Sequence, residues 1–286
     1  MGTDPPKTKA ALAKELGIAR SSLYYTFKLP TKDVLLKARI EETWGTHPAY
    51  GRVRLGLHLG VNHKRVRRVM QAFGMKVPRT TKTPKKPADV EQPASPYPNL
   101  IKTLIPTGMG EVWAGDFTYL PFHGKFLFLA TVMDIYTREI LGWHVLTVHT
   151  VALIRGAFLD AKKRAGCLPL YHHSDQGSEY KALSYLKEVE SQGIQVSMSK
   201  KGSPWENGTQ ESFYGKFKLD LGSIEDCRTI GEAVARIHMA VAYYNNERIH
   251  TSLKMPPVIF KERCIQLQLA QQLVENMALE SSKVCV

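Results

Sequence analysis

Between residues 111 and 149 the chain carries three apolar runs in succession: EVWAGDFTYLPF, KFLFLATVMDIYT and EILGWHVLTVH. Each is rich in β-branched and aromatic residues, and short turns such as His123-Gly124 separate them. Three consecutive strands are therefore expected, paired antiparallel. A sheet that begins this way needs helices to cover it, and the following residues supply them. VALIRGAFLDAKKRAG reads as a helix ending at Gly166, LPLYHHSD as a fourth strand, EYKALSYLKEVESQG as a helix and IQVSMS as a fifth strand. A helix from about Glu206 to Leu219 and a longer one over about 229–247 complete the pattern. The class is α/β, with helices packed on the sheet.

Three acids stand out against this background. Asp116 lies inside the otherwise apolar VWAGDFTYL, and strand alternation puts it on the face of Ala114 and Thr118. A carboxylate there must be exposed at an edge, paired or bound to metal, because burying it alone costs several kcal/mol. Asp175 ends the fourth strand in YHHSDQGSEY, where the chain turns through Gly177, and strand ends are where such sheets place functional groups. Glu211 lies on the helix of PWENGTQESFYGKFK. Three hard oxygen donors suit magnesium or manganese better than zinc. Spacing alone is weak evidence, since 26 acidic residues offer many triples.

The charge is unevenly spread. Residues 1–100 hold 19 Lys+Arg and 7 Asp+Glu, whereas the remaining 186 residues hold 20 and 19. A basic module beside a charge-balanced one fits a polyanion-binding part joined to a working part. TKAALAKELGIARSSLYYTF reads as helix, turn at Gly17 and helix, with Ile18 and Leu23 expected to bury against Leu12 and Leu16. Farther on, Asn62 is a good N-cap and Gly74 a good stop. Between them Val66, Val69, Met70 and Phe73 form a core-facing stripe. Lys64, Arg65, Arg67 and Arg68 fall largely off it and suit DNA phosphates. The proline-rich TTKTPKKPADVEQPASPYPN reads as a linker. The expected divisions are a helix-turn-helix segment (1–30), a second helix-turn-helix DNA-binding domain (31–79), a linker (80–106), a catalytic core (107–222) and a C-terminal helical extension (223–286).

The four cysteines form no Cys-x-x-Cys pair, which argues against a zinc ribbon and fits a reducing cytoplasm, where the nucleoid is the expected workplace. The most apolar window, Phe126 to Val145, is interrupted by Asp134, Arg138 and Glu139, so no bilayer span is expected.

The blocks VWAGDFTYL, VMDIYTREILGWHV, HHSDQGSEY, SMSKKGSPWENGTQESFYGKFK and YYNNERIHTSLKMPP resemble, in order, the integrase core of insertion-sequence transposases. The resemblance is to the second-frame (OrfB-type) enzymes of the insertion-sequence-three family, and it covers about residues 33–262. HPAYGRVRL and VNHKRVRRVMQAFGM resemble that family's helix-turn-helix region. The resemblance implies a ribonuclease H-like fold and DNA strand cleavage and transfer at element ends. It also implies two Mg2+ or Mn2+ ions held by a catalytic triad of Asp116, Asp175 and Glu211, with Lys218 a basic residue placed to touch a DNA phosphate. The implied partners are DNA, further copies of the chain on that DNA, and a segment fused from an upstream reading frame. No leucine-zipper heptad of that upstream segment's kind is read here. Asp134 is expected to be structural, His172 and His173 to pack and hydrogen-bond, and Glu179 to cap or line the following helix. Trp113, Trp143 and Trp205 are expected to pack, with DNA contact the alternative for Trp205. Glu206 and Asn207 precede Glu211, and Asn207 is expected either to shape the loop or to meet substrate. Arg248 and His250 are expected either to meet DNA or to lock the C-terminal helix on the core. The competing readings are a non-catalytic DNA-binding regulator or domesticated fragment, and a nuclease of the same fold.

Overall fold

The structure, a computed structural model, describes residues 8–24, 29–77, 97–200 and 208–284. Most of the expected linker, Trp205, Glu206 and Asn207 lie outside the described residues.

The catalytic region is built on five strands: β1 (Val112–Phe122), β2 (Lys125–Asp134), β3 (Ile140–Leu146), β4 (Tyr171–Ser174) and β5 (Gln195–Met198). They lie in the order β3-β2-β1-β4-β5. β1–β2 and β2–β3 are antiparallel, and β1–β4 and β4–β5 are parallel. The β1–β2 turn places both His123 (φ 47°) and Gly124 (φ 71°) in the left-handed region, as a tight two-residue hairpin requires. A bulge between Val132 and Met133 bends β2 against β3. The order and directions are those of a ribonuclease H-like sheet, as expected.

Alternation along β1 decides what each face packs. Trp113 and, on β2, Ala130 and Val132 face α5 (Val151–Ala165) and α6 (Leu183–Glu190), around Phe158, Leu186 and Val189. Leu120, Phe122, Leu127 and Leu129 face α7 (Gly208–Leu221) and α8 (Ile230–Asn246), around Phe213, Phe217, Ile237 and Val241. Gly142 lets α5 lie directly on β3: a Cβ there would stand 2.2 Å from Ala161 N and 2.3 Å from Ala157 O.

Upstream lie α1 (Lys9–Glu15), a 3-10 turn (Arg20–Tyr24), α2 (Leu29–Thr46), α3 (Arg52–Leu59) and α4 (His63–Ala72). Gly17 takes φ +64° as expected, but the first helix-turn-helix does not form as anticipated. Its second part is a 3-10 turn rather than an α-helix. Leu12, Leu16 and Ile18 are exposed, and in α1 only Ala13 is buried. The physical reason is size: seven residues of α1 present too little apolar surface to hold RSSLY in register. The second unit does form. Asn62 Oδ1 accepts Lys64 N–H at 2.9 Å, Gly74 takes φ 63°, and Val66 and Val69 are fully buried with Leu36, Ile40 and Leu55. Phe73, expected in that core, is 40% exposed beneath Lys37 Nζ (5.8 Å to the ring).

This helical unit is docked on the core at one place. Arg54 Nε donates to Ile249 O (2.8 Å), Ile249 N–H donates to Tyr50 Oη (2.8 Å), and His47 Nδ1 lies 2.7 Å from Tyr243 Oη. Arg248, 1% exposed, is ion-paired with Asp220 at the end of α7. Arg248 thus locks the segment after α8, one of the two roles expected for it. His250 completes the turn by bridging Met255, and burial first, then nearby Arg138 and Lys216, lowers its pKa to about 4. The chain ends in α9 (Pro257–Val284), and among the described residues no helix is long and apolar enough to cross a membrane.

Candidate active site and DNA-binding surface

β1 and β4 pair in parallel with Val112 opposite Tyr171, Trp113 opposite His172 and Ala114 opposite His173. The observed pairing ends at Ala114 opposite His173, two residues short of Asp116, and Asp175 follows directly on the end of β4. By strand alternation Asp116 shares the face of Ala114, which α7 covers. The burial of Tyr180 and Tyr214 is compounded by both carboxylates, which help hold each phenol protonated.

α7 is pinned to this part of β1. Gln210 Nε2 donates to Ala114 O at 2.6 Å, and Tyr214 Oη donates to Asp116 O at 2.7 Å while lying 2.8 Å from Thr131 Oγ1. The two anchors flank Glu211 in sequence, and Glu211 itself is exposed on α7. Sequence reading passed over both anchors. Their signal was a Gln and a Tyr four apart in QESFYG, each on the buried side of a helix.

Asp175 is half-buried, and burial is the main reason its pKa is raised; Glu179 adds to the shift and the Gly177 N–H (2.9 Å to Oδ1) opposes it. Gly177 packs closely here: a Cβ would stand 3.0 Å from Asp175 Oδ1. Gly115, just before Asp116, similarly admits His172 Cε1 (3.0 Å from a built Cβ) and Tyr180. His172 Nε2 lies 2.8 Å from Tyr185 Oη, and burial lowers its pKa to about 3, so it is a neutral packing residue. His173 Nδ1 lies 2.9 Å from Ser197 Oγ. Both histidines pack and hydrogen-bond as expected.

Asp134 is structural: its carboxylate accepts the N–H groups of Gly110 (2.7 Å), Tyr136 (2.9 Å) and Thr137 (2.7 Å). Trp113 is fully buried and Trp143 is half-buried against the α8 face. Glu179 does more than line a helix. It is buried beside Asp175 and lies 2.6 Å from His149 Nδ1; burial pushes its pKa up, but hydrogen bonds from His149 and Ser178 prevail and lower it. Lys218 lies two turns beyond Glu211 with Nζ 4.7 Å over the Tyr119 ring, and burial lowers its pKa.

Asp116, Asp175 and Glu211 offer only hard oxygen donors, which suit a divalent cation. Among the described residues they do not close into a cluster of three or more metal-holding side chains.

The four cations of α4 divide into two pairs. Arg68 makes hydrogen bonds of 2.7 and 2.8 Å to the two Asp33 carboxylate oxygens, and Arg65 donates to Lys32 O at 3.2 Å, so this pair ties α4 to α2. Lys64 and Arg67 are exposed, and Arg67 lines a cleft of about 1030 Å³ with Arg52, Gln71 and Lys76.

The sheet order and directions are those of an integrase core. An integrase core domain family matches residues 106–204, and a second integrase core domain family matches residues 192–257. The transposase for insertion sequence element IS904 of Lactococcus lactis subsp. lactis (strain IL1403) is 33% identical over 228 residues, 77% of this chain and 90% of that protein. The putative transposase InsK for insertion sequence element IS150 of Escherichia coli (strain K12) is 28% identical over 88% of this chain and 93% of its own length. The chain belongs to the insertion-sequence transposases of the DDE class. It is an enzyme of DNA transposition, a polynucleotidyl transferase, and the reading as a non-catalytic regulator is not favoured. Among solved structures, the HTLV-2 integrase catalytic core domain in complex with magnesium superposes with TM-score 0.46 and 19% identity, over 53% of this chain and 96% of that one. The simian T-cell lymphotropic virus intasome in complex with PP2A regulatory subunit B56 gamma gives TM-score 0.48 and 16% identity, over 77% and 73%.

Proposed function

We propose that Asp116, Asp175 and Glu211 are the catalytic carboxylates of this transposase and hold two Mg2+ or Mn2+ ions while one active site performs two displacements at phosphorus. The observation that supports the reading is the β1–β4 pairing, which brings the strand carrying Asp116 beside the strand that Asp175 follows, with α7 bonded to β1 at Ala114 and Asp116. In the first displacement a water oxygen bonds to phosphorus at the element end and the 3′-oxygen leaves, taking a proton to become a 3′-hydroxyl. In the second, that hydroxyl attacks another phosphodiester, which loses its own 3′-oxygen as the new bond forms. Divalent ions bound at the carboxylates supply stabilisation of the attacking and leaving oxygens. The protein's part is to fix the donors: Gln210 and Tyr214 hold α7, and Gly177 N–H orients Asp175.

DNA phosphates are assigned to Lys64, Arg67 and Lys218. Arg65 and Arg68 are secondary, since Asp33 takes up part of their charge. Two DNA ends are brought together by a homo-oligomer, and an upstream-frame segment fused ahead of α1 adds end binding; comparing cleavage by the fused and unfused chains tests that addition. The triad is tested with labelled DNA carrying the element's ends. Asp116→Asn, Asp175→Asn and Glu211→Gln are each expected to abolish metal-dependent nicking and joining while retaining DNA binding. Full activity in any one of them refutes the assignment.

A further inference from the structure

The first turns of α9 belong to the core. Lys261 Nζ lies 3.0 Å from Glu139, and the Phe260 ring packs 5.7 Å from Tyr136. Beyond Cys264 the helix leaves the body, and every side chain from Ile265 to Asn276 is exposed. That stretch is apolar: Leu267 is 58% exposed, Leu269 55%, Leu273 64% and Val274 67%. A helix in water draws most of its stability from packing an apolar face, and contiguous exposed apolar surface marks an interaction site.

The spacing identifies the kind of partner. Phe260, Arg263, Leu267, Ala270 and Val274 follow one another at intervals of three and four, the seam of a helix pair. The seam starts on the core at Phe260 and continues outward past it. Arg263 interrupts its apolar character, which is why no heptad is legible in the sequence.

We infer that the projecting part of α9 pairs antiparallel with the same segment of a second copy of this chain. The charges choose the direction. In a parallel pair Arg263 would face its own copy within the seam. In an antiparallel pair with Leu267 opposite Ala270, Arg263 falls opposite Val274 and beside Glu275 of the other chain, twice by symmetry. In that register the two Cys264 residues lie nine positions, about 14 Å, apart along the pair, with the two bodies at opposite ends. A parallel pair would force them together. This inference rests on the homo-oligomer proposed above and gives it a surface that needs no DNA.

The test is sedimentation of the full chain without DNA across a concentration series. A dimer is expected. Leu267→Glu with Val274→Glu should return a monomer with unchanged thermal unfolding of the core, since both side chains are exposed. Arg263→Glu turns two attractions into repulsions and should weaken the dimer about tenfold; adding Glu275→Arg should restore it. A wild-type monomer throughout, or a dimer indifferent to the seam substitutions, overturns the inference. Failure of the double charge reversal to restore the dimer overturns the antiparallel direction. Sedimentation of the same proteins with paired DNA ends reports on DNA-driven assembly separately, so loss of one reading leaves the other measurable.

Discussion

Acid should unfold this protein partly through His172. The ring sits 1% exposed in β4 among Phe158, Tyr180 and Tyr185, its centroid 5.4 Å from that of Phe158, with Nε2 hydrogen-bonded to Tyr185 Oη. Burial, with His173 adding to it, lowers its pKa from 6.5 to about 3. Because the folded value lies below the unfolded one, the unfolded chain binds the extra proton. The contribution is complete above pH 6.5 and is lost as pH falls toward about 3. One proton taken up on unfolding gives a slope of about 1.4 kcal/mol per pH unit, so lowering the pH from 6.5 to 5 should remove roughly 2 kcal/mol. Urea unfolding between about pH 7 and pH 5 measures this slope. His172→Phe keeps a ring in the aromatic cluster but cannot titrate. It should cost about 1–3 kcal/mol at neutral pH, because Tyr185 loses its hydrogen-bond partner, yet unfold with a pH slope shallower by one proton. His47 and His250 are lowered in the same direction, so some slope remains in the variant. Equal slopes in wild type and variant would show that His172 protonates in the folded protein, and would refute the reasoning.

Gly142→Ala should destabilise the core by about 3 kcal/mol or more in urea, since its Cβ would meet the α5 backbone at 2.2–2.7 Å and neither backbone can yield locally; a loss under about 1 kcal/mol would mean that α5 is not seated as described. Tyr214→Phe removes the donor to Asp116 O and should cost about 1–3 kcal/mol and slow strand cleavage while leaving DNA affinity unchanged; unaltered cleavage would show that Glu211 is positioned without it. Lys64→Ala with Arg67→Ala should weaken DNA binding and lower the slope of log affinity against log salt by about two, whereas an unchanged slope would take both residues off the phosphates. Arg68→Ala should instead loosen α4 from Asp33, and a shift in thermal unfolding larger than its effect on the salt slope would mark it as structural.

Local chemistry was enough to read much of this chain from sequence. Alternation of apolar residues gave the five strands, because a strand's neighbours in sequence decide its two faces. Asn62, Gly74 and Gly17 announced their caps and turn through backbone requirements that no distant contact alters. The acids were legible because a carboxylate inside VWAGDFTYL or at the end of YHHSD has no stable place in an ordinary core. Long-range packing decided the rest. The 3-10 turn after Gly17 reflects how little surface α1 offers, which residue patterns do not weigh. The neighbourhood of the strands that carry Asp116 and lead to Asp175 depends on pairing between residues 59 positions apart, and Gln210 and Tyr214 gain their roles only when α7 meets β1. The docking of Arg54 and Tyr50 on Ile249 joins residues almost 200 positions apart and leaves no periodic trace. The sequence by itself determined which elements form and which side chains are chemically out of place, since those depend on near neighbours. Only the tertiary structure decided which of these side chains meet, because strand register and helix docking are set by the burial of surfaces far apart in the chain.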